Sequence, residues 1–587
     1  MQLDPIIKAI KFIQDTQHKR TETVNTELSL NFASEFWKKR IKNVKNPLSM
    51  NRKELETCVI EYTSKALNSG DLYVKGAKNF ADYRADLMPW SECLKYLDEF
   101  CLESKIPNNL NNLYNELKSS LESKAKFVDD NYHNIPDFVI NDDGKPVLKK
   151  YEPKPKSESA EKLEGLIKTR LTERSLLDVL INAEYYANWT SECGPLDGKE
   201  AKLDNPTEKY VLTPFAMGTG LGATQMSKHL RNTISARIIS RVNKKHFSIK
   251  SLNKSITKII NCLNEFPLLQ AWGTGESVAG DGTFEDINDN NPMSQFHFRY
   301  RRKGAIAYHH VADNYIVLFS SLIQCGVWEA IYIIDGLLKN ASEIQPKIVH
   351  ADTQGQSLPV FAFAYLFGIQ LMPRIRNWKD LKFYRPTKDA VYKNIDSMFS
   401  DACINWDFLE THWEDLMQVV ISVKYGKVSS VFILNKLNSY NNKNLLYKAF
   451  QELGKILRTI FLLEYVSDKK LRRKITDTTN KVEAYNGLSD WIRFGAKRLV
   501  ASNDPDEMEK SIKYNDLIAN SLMLQNVIDI TQICYDLQQE GYEVPKEDLS
   551  YISPYIREHY KRFGEYVLDL SNKPEKLDSI RDRVPFK

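Results

Sequence analysis

FHFRYRRKGAIAYHHVADNYIVLF, residues 296–319, decides the fold class, because here a helical period gives way to an extended one. Two β-rich runs, 296–301 and 305–319, flank Lys303-Gly304, and that pairing predicts a hairpin or meander turning at Gly304. Toward the C-terminus follow an amphipathic stretch at 326–340, the strand PKIVHAD (346–352), the helix SLPVFAFAYLFG (357–368) and the strand IQLMPRI (369–375). On the N-terminal side, residues 279–284 supply an opening strand. This order predicts a mixed sheet with helices on its faces, the core of an α+β protein.

The flanks read differently. Residues 1 to about 130 are helical in pattern: LKYLDEFCLESKI sets Leu94, Leu97, Phe100 and Cys101 at three- and four-residue spacing. Residues 141–165 are rich in Asp, Gly, Pro, Lys and Ser and predict a linker or exposed loop. Helices resume to about 265, and the chain is helical again after Pro386. No fixed-period repeat appears, so a solenoid is not expected.

At 587 residues the chain requires several structural units. Its 81 basic and 76 acidic residues nearly cancel, so attraction to nucleic acid has to come from local patches. Eight scattered cysteines form no CxxC pair, which argues against a zinc ribbon or a disulfide framework. The opening MQLDPIIKAIKFIQDTQHKR lacks a signal-peptide pattern, and no apolar run approaches bilayer length; a cytoplasmic protein with no membrane partner is expected.

Three carboxylates stand out. Asp352 closes the strand PKIVHAD ahead of a small-residue turn, where open α/β sheets bind ligands. Asp281 lies between Gly280 and Gly282, which lets a large substrate approach. Glu483, in TTNKVEAYNGLSDWI, stands off the apolar face of Tyr485, Leu488 and Ile492. Each has a plainer reading: Asp281 as an Asp-Gly turn, Asp352 as an Asx-turn or helix cap, and Glu483 as the partner of Asn480 in a capping box. Brought together, they would repel unless a cation lay between them. An all-oxygen set selects Mg²⁺ or Mn²⁺, and two such ions can drive phosphoryl transfer.

The motifs around these acids resemble those of the transposases of replicative class II transposons, the Tn3 family. Trp272-Gly273 through Asp281-Gly282 matches the first; His350-Ala351-Asp352-Thr353-Gln354-Gly355, with Leu366-Phe367-Gly368 and Pro373-Arg374-Ile375-Arg376, matches the second; Asn480-Lys481-Val482-Glu483-Ala484 matches the third. Further segments, among them SGDLYVKGAKNF (69–80), AMGTGLGATQMS (216–227) and SPYIREHYKRFGEYVLDL (553–570), are also similar. Ala279-Gly280 and Val482 depart from the Ser and Gly that many members carry at the corresponding places.

The resemblance implies an RNase H-like core with Asp281, Asp352 and Glu483 as catalytic triad and ligands of two Mg²⁺ ions, Mn²⁺ substituting. The implied division is a helical N-terminal scaffold (1–140), the linker (141–165), a second helical scaffold (166–265), the first part of the catalytic core (266–386), a helical insertion (387–474), the helix carrying the Glu (475–500) and a helical C-terminal region (501–587). It implies a dimer acting on transposon-end and target DNA in a bacterial, nucleoid-associated setting. Family members continue further toward the N-terminus with end-recognition domains, upstream of where this chain begins.

Arg299, Arg301, Arg302 and Lys303 by the expected hairpin turn, and Arg374 and Arg376 after the last strand, are candidate phosphate contacts, with solvated turns as the alternative. His309 and His310 read as packed histidines, and Trp406, Trp413 and Phe408 as core. GTGESVAGDG lacks the Lys-Ser/Thr of a nucleotide loop, so no nucleotide cofactor is expected. The expected function is metal-dependent 3′-end nicking and strand transfer; the alternatives are an RNase H-like nuclease without strand transfer and a truncated, non-catalytic DNA-binding remnant.

Overall fold

The computed structural model describes residues 5–18, 21–42, 49–77, 80–149, 155–198, 203–231, 233–297, 300–325, 329–378, 381–438, 444–496, 499–571, 573–583 and 585–586. The chain forms two compact units, one of Met1–Asn115 with Ile404–Lys455, the other of Glu116–Cys403 with Ile456–Lys587.

The first unit is helical. The helices Pro5–Thr16 and Arg52–Ser69 bury Ile6, Ala9, Leu55, Cys58 and Val59 in one core beside a short antiparallel pair, Thr23–Asn25 with Ser49–Asn51. The Asn51 side chain caps the first turn of Arg52–Ser69, and Gly70, at φ +76°, ends that helix in the left-handed region. Within the same unit the helix Trp413–Lys424 is fastened to the earlier segment by the Met88 amide, which donates to Ser422 Oγ at 2.9 Å.

The second unit holds the sheet. Among the helices that precede it are α1 (Leu176–Ala187), α2 (Pro206–Gly218), α3 (Ala236–His246) and α4 (Ile249–Asn264). The strands are β1 (Ser277–Ile287), β2 (Gln295–His297), β3 (Arg302–Ala312), β4 (Val317–Gln324), β5 (Ile348–His350), β6 (Gln370–Leu371) and β7 (Leu499–Val500). Helices α5 (Tyr332–Leu338) and α6 (Leu358–Leu366) connect β4 to β5 and β5 to β6; α7 (Lys469–Ile492) and α8 (Pro505–Gln539) complete the unit. The main strand order is β6-β5-β1-β3-β4, with β1, β3 and β4 antiparallel and β5 and β6 parallel to β1; β2 extends β3, and β7 pairs with the end of β1.

The expected order of strands and helices is present, but its first turn lies elsewhere. Gly304 is inside β3, opposite Gln295 of β2, and the chain reverses before it, at Arg301, whose φ is +52°. Glycine is required there for space, since a Cβ at 304 would meet the Phe284 ring and lie 2.5 Å from the Glu285 carbonyl oxygen. The second reversal, between β3 and β4, uses Tyr315 at φ +70°. The stretch 141–165, expected as loop, contains the strand Pro146–Leu148, paired with Phe138–Ile140, and the start of the helix Glu158–Arg170, capped by Ser157; residues 150–154 lie outside the described residues.

Helix α7 packs on β1 and β3, and α8 is buried along most of its length between β4 and helices α1, α2 and α4. Several polar groups inside this core are matched: Tyr485 donates to Asp516 Oδ1 at 2.6 Å, Ser320 donates to Asp516 Oδ2, and Lys513 donates to the Ser320 carbonyl, while both ring nitrogens of the buried His309 beside Tyr485 lack a hydrogen-bond partner among the described residues. His310, on the other face of the sheet, takes the room left by Gly336, where a Cβ would fall onto its ring. Its Nε2 meets the Ile333 carbonyl at 2.9 Å, and its buried Nδ1 has no partner, so protonation would create a donor with nothing to receive it.

Burial accordingly pushes the His310 imidazole down to about 4, against the pull of the Ile333 carbonyl and Asp335; Lys513 adds a smaller downward push. The unfolded chain takes up this proton as pH falls through about 6.5, while the folded chain resists until about 4. Stability is therefore complete above pH 6.5 and declines below it, by up to ~3 kcal/mol from this one group. Thermal unfolding followed from pH 7.5 to 4.5 should show that decline, and His310→Gln should make it shallower, the buried His309 and His350 and the half-buried His559, also held down, keeping the rest; an unchanged slope in the variant would refute the assignment.

Candidate active site

Asp281 sits in the middle of β1, in a ladder running from Val278↔Ala312 to Glu285↔Ala305 on β3, so the Asp-Gly turn reading does not apply. Its neighbouring glycines make room on the opposite face: a Cβ on Gly280 would lie 2.7 Å from the Tyr308 hydroxyl, and one on Gly282 would lie 2.9 Å from Glu329 Oε2. On the other side of β1 the parallel register is Ile348↔Ser277, Val349↔Val278 and His350↔Ala279. Asp352 follows two residues beyond the end of β5, and a continuation of the same register would bring it level with Asp281. The Arg374 amide donates to the Ala351 carbonyl at 2.8 Å and holds the chain after β6 beside this point. Helix α6 takes Ser357 as its N-cap, so Asp352 is not its cap.

Glu483 is exposed on α7, whose buried side carries Val482, Tyr485, Leu488 and Ile492. That helix begins at Lys469 behind the Asp468 cap, so Asn480 and Glu483 are deep in its interior and no capping box exists there. Lys481 fixes the helix to the start of the sheet: its ammonium donates to the carbonyls of Trp272, at 2.8 Å, and Asp313, at 2.5 Å. The glycine-rich motif before β1 serves the same junction. Asp313 accepts from the Gly275 amide at 2.7 Å and from Ser277 Oγ at 2.9 Å, and Gly273 packs where a side chain would strike Asp313.

One turn beyond Glu483, Asn486 Nδ2 donates to Asp281 Oδ2 at 3.2 Å, linking α7 to β1 at the candidate site. The electrostatics agree with this proximity. Asp281 is pushed up to about 6, first by burial, then by the charge of Asp352 and, more weakly, that of Glu483, while the Gly282 amide and Asn486 pull it down. Buried Tyr308 is also raised, by burial and then by Glu329, Asp352 and Asp281. Asp352, beyond the end of β5, and Glu483, on α7, thus both bear on Asp281 in β1. Glu329, which begins a short helical turn, lies beside Gly282 on the face of β1 opposite Asp281. Sequence reasoning missed it: Glu329 falls in a stretch read only as amphipathic, and only the β1 packing exposes its place.

Donor chemistry suits a hard divalent cation, because the three acids offer carboxylate oxygens, and positive charge would relieve both the burial and the neighbouring negative charge that raise Asp281. Among the described residues, no three His, Cys, Asp or Glu side chains are drawn tightly enough to hold an ion as they stand.

The candidate phosphate contacts divide. Arg374 is half-buried beside the Asp352 strand and Arg376 is exposed two residues on. Arg301, Arg302 and Lys303 are exposed at the other end of β3, and Arg302 is seven residues from His309, the partner of Asp281, or roughly 24 Å along an extended strand. Arg302 is also engaged, pairing with Asp286 at 2.9 Å and lying 4.3 Å from the centre of the Phe284 ring. Arg299 lies outside the described residues. Among the described residues no helix is long and apolar enough to cross a membrane.

A family model, the Tn3 transposase DDE domain, matches residues 178–566, which include Asp281, Asp352 and Glu483. The transposase for transposon Tn2501 of Escherichia coli is 25% identical over 95% of this chain and 56% of its own length. The transposase for transposon Tn501 of Pseudomonas aeruginosa is 25% identical over 97% and 57%, and that for Tn1546 of Enterococcus faecium 24% identical over 98% and 58%. The chain therefore spans a little over half the length of these curated relatives.

Proposed function

The chain belongs to the family of the Tn3 transposase DDE domain, and from that premise we propose that it is the catalytic part of a DDE transposase, nicking transposon 3′ ends and joining them to target DNA. The observation that carries the proposal is the convergence of β1, which bears Asp281, the end of β5, two residues before Asp352, and α7, which bears Glu483 and meets Asp281 through Asn486. Asp281, Asp352 and Glu483 are proposed as the catalytic and metal-binding residues of an RNase H-like core, with residues 387–474 as a helical insertion before the Glu.

Held by these carboxylates, two divalent cations, Mg²⁺ or Mn²⁺, would offset their repulsion and stabilise charge developing on a phosphate in transit. The residues do the rest by position. Asp281 is fixed within β1, Asp352 follows the end of β5 by two residues, and Asn486 holds one oxygen of Asp281. Glu483 projects from a helix pinned by Lys481 and is exposed, open to an incoming DNA strand. Arg374 lies where a guanidinium can contact a phosphate near Asp352.

In the first step water attacks the phosphorus at the transposon end, the bond from phosphorus to the 3′ oxygen breaks, and that oxygen leaves as a 3′-hydroxyl. In the second, this hydroxyl attacks a target phosphodiester and displaces its 3′ oxygen in line. One phosphodiester bond is broken as one is made in the joining step, so neither a nucleotide cofactor nor a protein nucleophile is required.

The test is a denaturing-gel assay with labelled duplexes carrying transposon ends, with Mg²⁺, with Mn²⁺ and with chelator. Nicked and joined products that vanish with chelator are expected. Nicking without joining would replace this reading with a nuclease, and absence of both, even with end-recognition domains supplied in trans, with a DNA-binding remnant. Acting as a homodimer on two ends is part of the proposal.

A further inference from the structure

From Lys209 to Asn264 the sequence contains ten Lys or Arg and no Asp or Glu. The 76 acids of the whole chain, evenly spread, would place about seven in a stretch of this length. Helices α3 and α4 lie at the C-terminal end of this tract and turn its charge outward. On α3 the buried residues are Ile239, Val242, Asn243 and His246, while Arg237, Arg241, Lys244 and Lys245 are exposed. On α4 the inner side holds Leu252, Ile256, Ile259 and Leu263, and Lys250, Lys254 and Lys258 form a row at four-residue spacing, spanning ~12 Å of helix.

This row is not arranged for helix stability. Like charges four residues apart repel, and exposed stabilising faces alternate in sign. Some of the charge is answered: Glu192 lies 3.6 Å from Lys254 and 3.3 Å from Lys258, and Asp197 lies 3.7 Å from Lys245. Arg237, Lys244 and Lys250 make no ion pair among the described residues. The segment around 192–197 runs alongside both helices, its Leu196 amide donating to the Lys245 carbonyl at 2.9 Å and its Gly194 amide to the His246 carbonyl at 3.3 Å. Lys250, Lys254, Lys258 and Lys339 also line a cavity of about 720 Å³, between α4 and β4, whose lining includes the carboxylates of Glu192 and Asp516.

We propose that the basic side of α3 and α4 is a track for the phosphate backbone of duplex DNA. A duplex presents one negative charge per ~1.7 Å of its axis, and neutralising it releases counterions, which exposed cations in excess of their acidic partners exploit without reading sequence. The proposal deepens the reading of the chain as a DNA transposase and rests on it. It moves non-specific grip away from Arg302, whose charge is already taken by Asp286, to helices of the same unit that precede the sheet.

The test uses the full chain and a fluorescent duplex of roughly 40 base pairs and arbitrary sequence, with affinity measured by anisotropy across a salt series. The variant Arg237→Gln/Lys244→Gln/Lys250→Gln removes charge from exposed positions, and a triple Glu variant at the same positions reverses it. The expected result is at least a tenfold loss of affinity near 0.1 M salt and a salt slope shallower by about 3 in the Gln variant, with a larger loss in the Glu variant and unfolding temperatures unchanged. Wild-type binding matched by both variants would overturn the track and leave the transposase reading standing. Absence of salt-dependent binding by the wild-type chain would overturn both. Tighter binding to phosphatidylglycerol vesicles than to the duplex, through the same residues, would replace the DNA track with a membrane surface.

Discussion

Asp352→Asn is expected to abolish nicking and joining, a fall on the order of 10³-fold or more, while the chain stays folded and keeps its affinity for duplex DNA. The substitution preserves shape and removes one of the charges that, after burial, hold Asp281 up at about 6. Without that neighbour Asp281 moves back toward the ordinary carboxylate range, so the metal-free fold loses nothing and its unfolding temperature holds or rises. A structural aspartate would behave oppositely, losing stability and activity together. Gel assays of nicking and joining, run beside thermal unfolding and anisotropy, separate the two cases. Nicking retained within tenfold of wild type would remove Asp352 from the catalytic set, and Glu483→Gln should follow the same pattern.

The sequence made the sheet legible where its signals are local. Hydrophobic runs located β1, β5 and α6, and the pairing of β5 beside β1 follows from two acids that each close or interrupt an apolar strand. It misled where the same residue types have a second use. Gly304 reads as a turn because glycine usually marks one, yet its role is to admit the Phe284 ring, a residue twenty positions earlier on another strand. Asn480 and Glu483 show capping-box spacing, but the helix starts at Lys469, and only packing against β1 and β3 extends it that far. Glu329 and the pairing of Arg302 with Asp286 depend on strand register, which periodicity does not supply. The union of Met1–Asn115 with Ile404–Lys455 is similarly non-local: no composition shift announces that segments some three hundred residues apart share a core.

Arg493→Met is expected to cost about 3–5 kcal/mol of stability, the largest effect foreseen for any substitution outside the catalytic set. Arg493 follows the last turn of α7, and its Nη1 pairs with Glu285 Oε2 on β1, with only 7% and 1% of the two side chains exposed. Burying two charges gains little overall, but removing one strands the other away from water, and that asymmetry sets the size of the loss. Arg493→Met/Glu285→Met should recover most of it, because neither charge remains to be solvated, and denaturant unfolding of the four species closes the cycle. The pair has a positional consequence as well. Glu285 lies on the same face of β1 as Asp281, so the clamp at Arg493, the Asn486 contact and the Lys481 anchor hold α7 at three points along the face that presents Glu483. The single variant, assayed below its unfolding temperature, should therefore lose nicking as well as stability, whereas the double variant should regain stability before it regains activity. A single variant costing less than ~1 kcal/mol would show that the pair is solvated and that α7 is held by its other contacts.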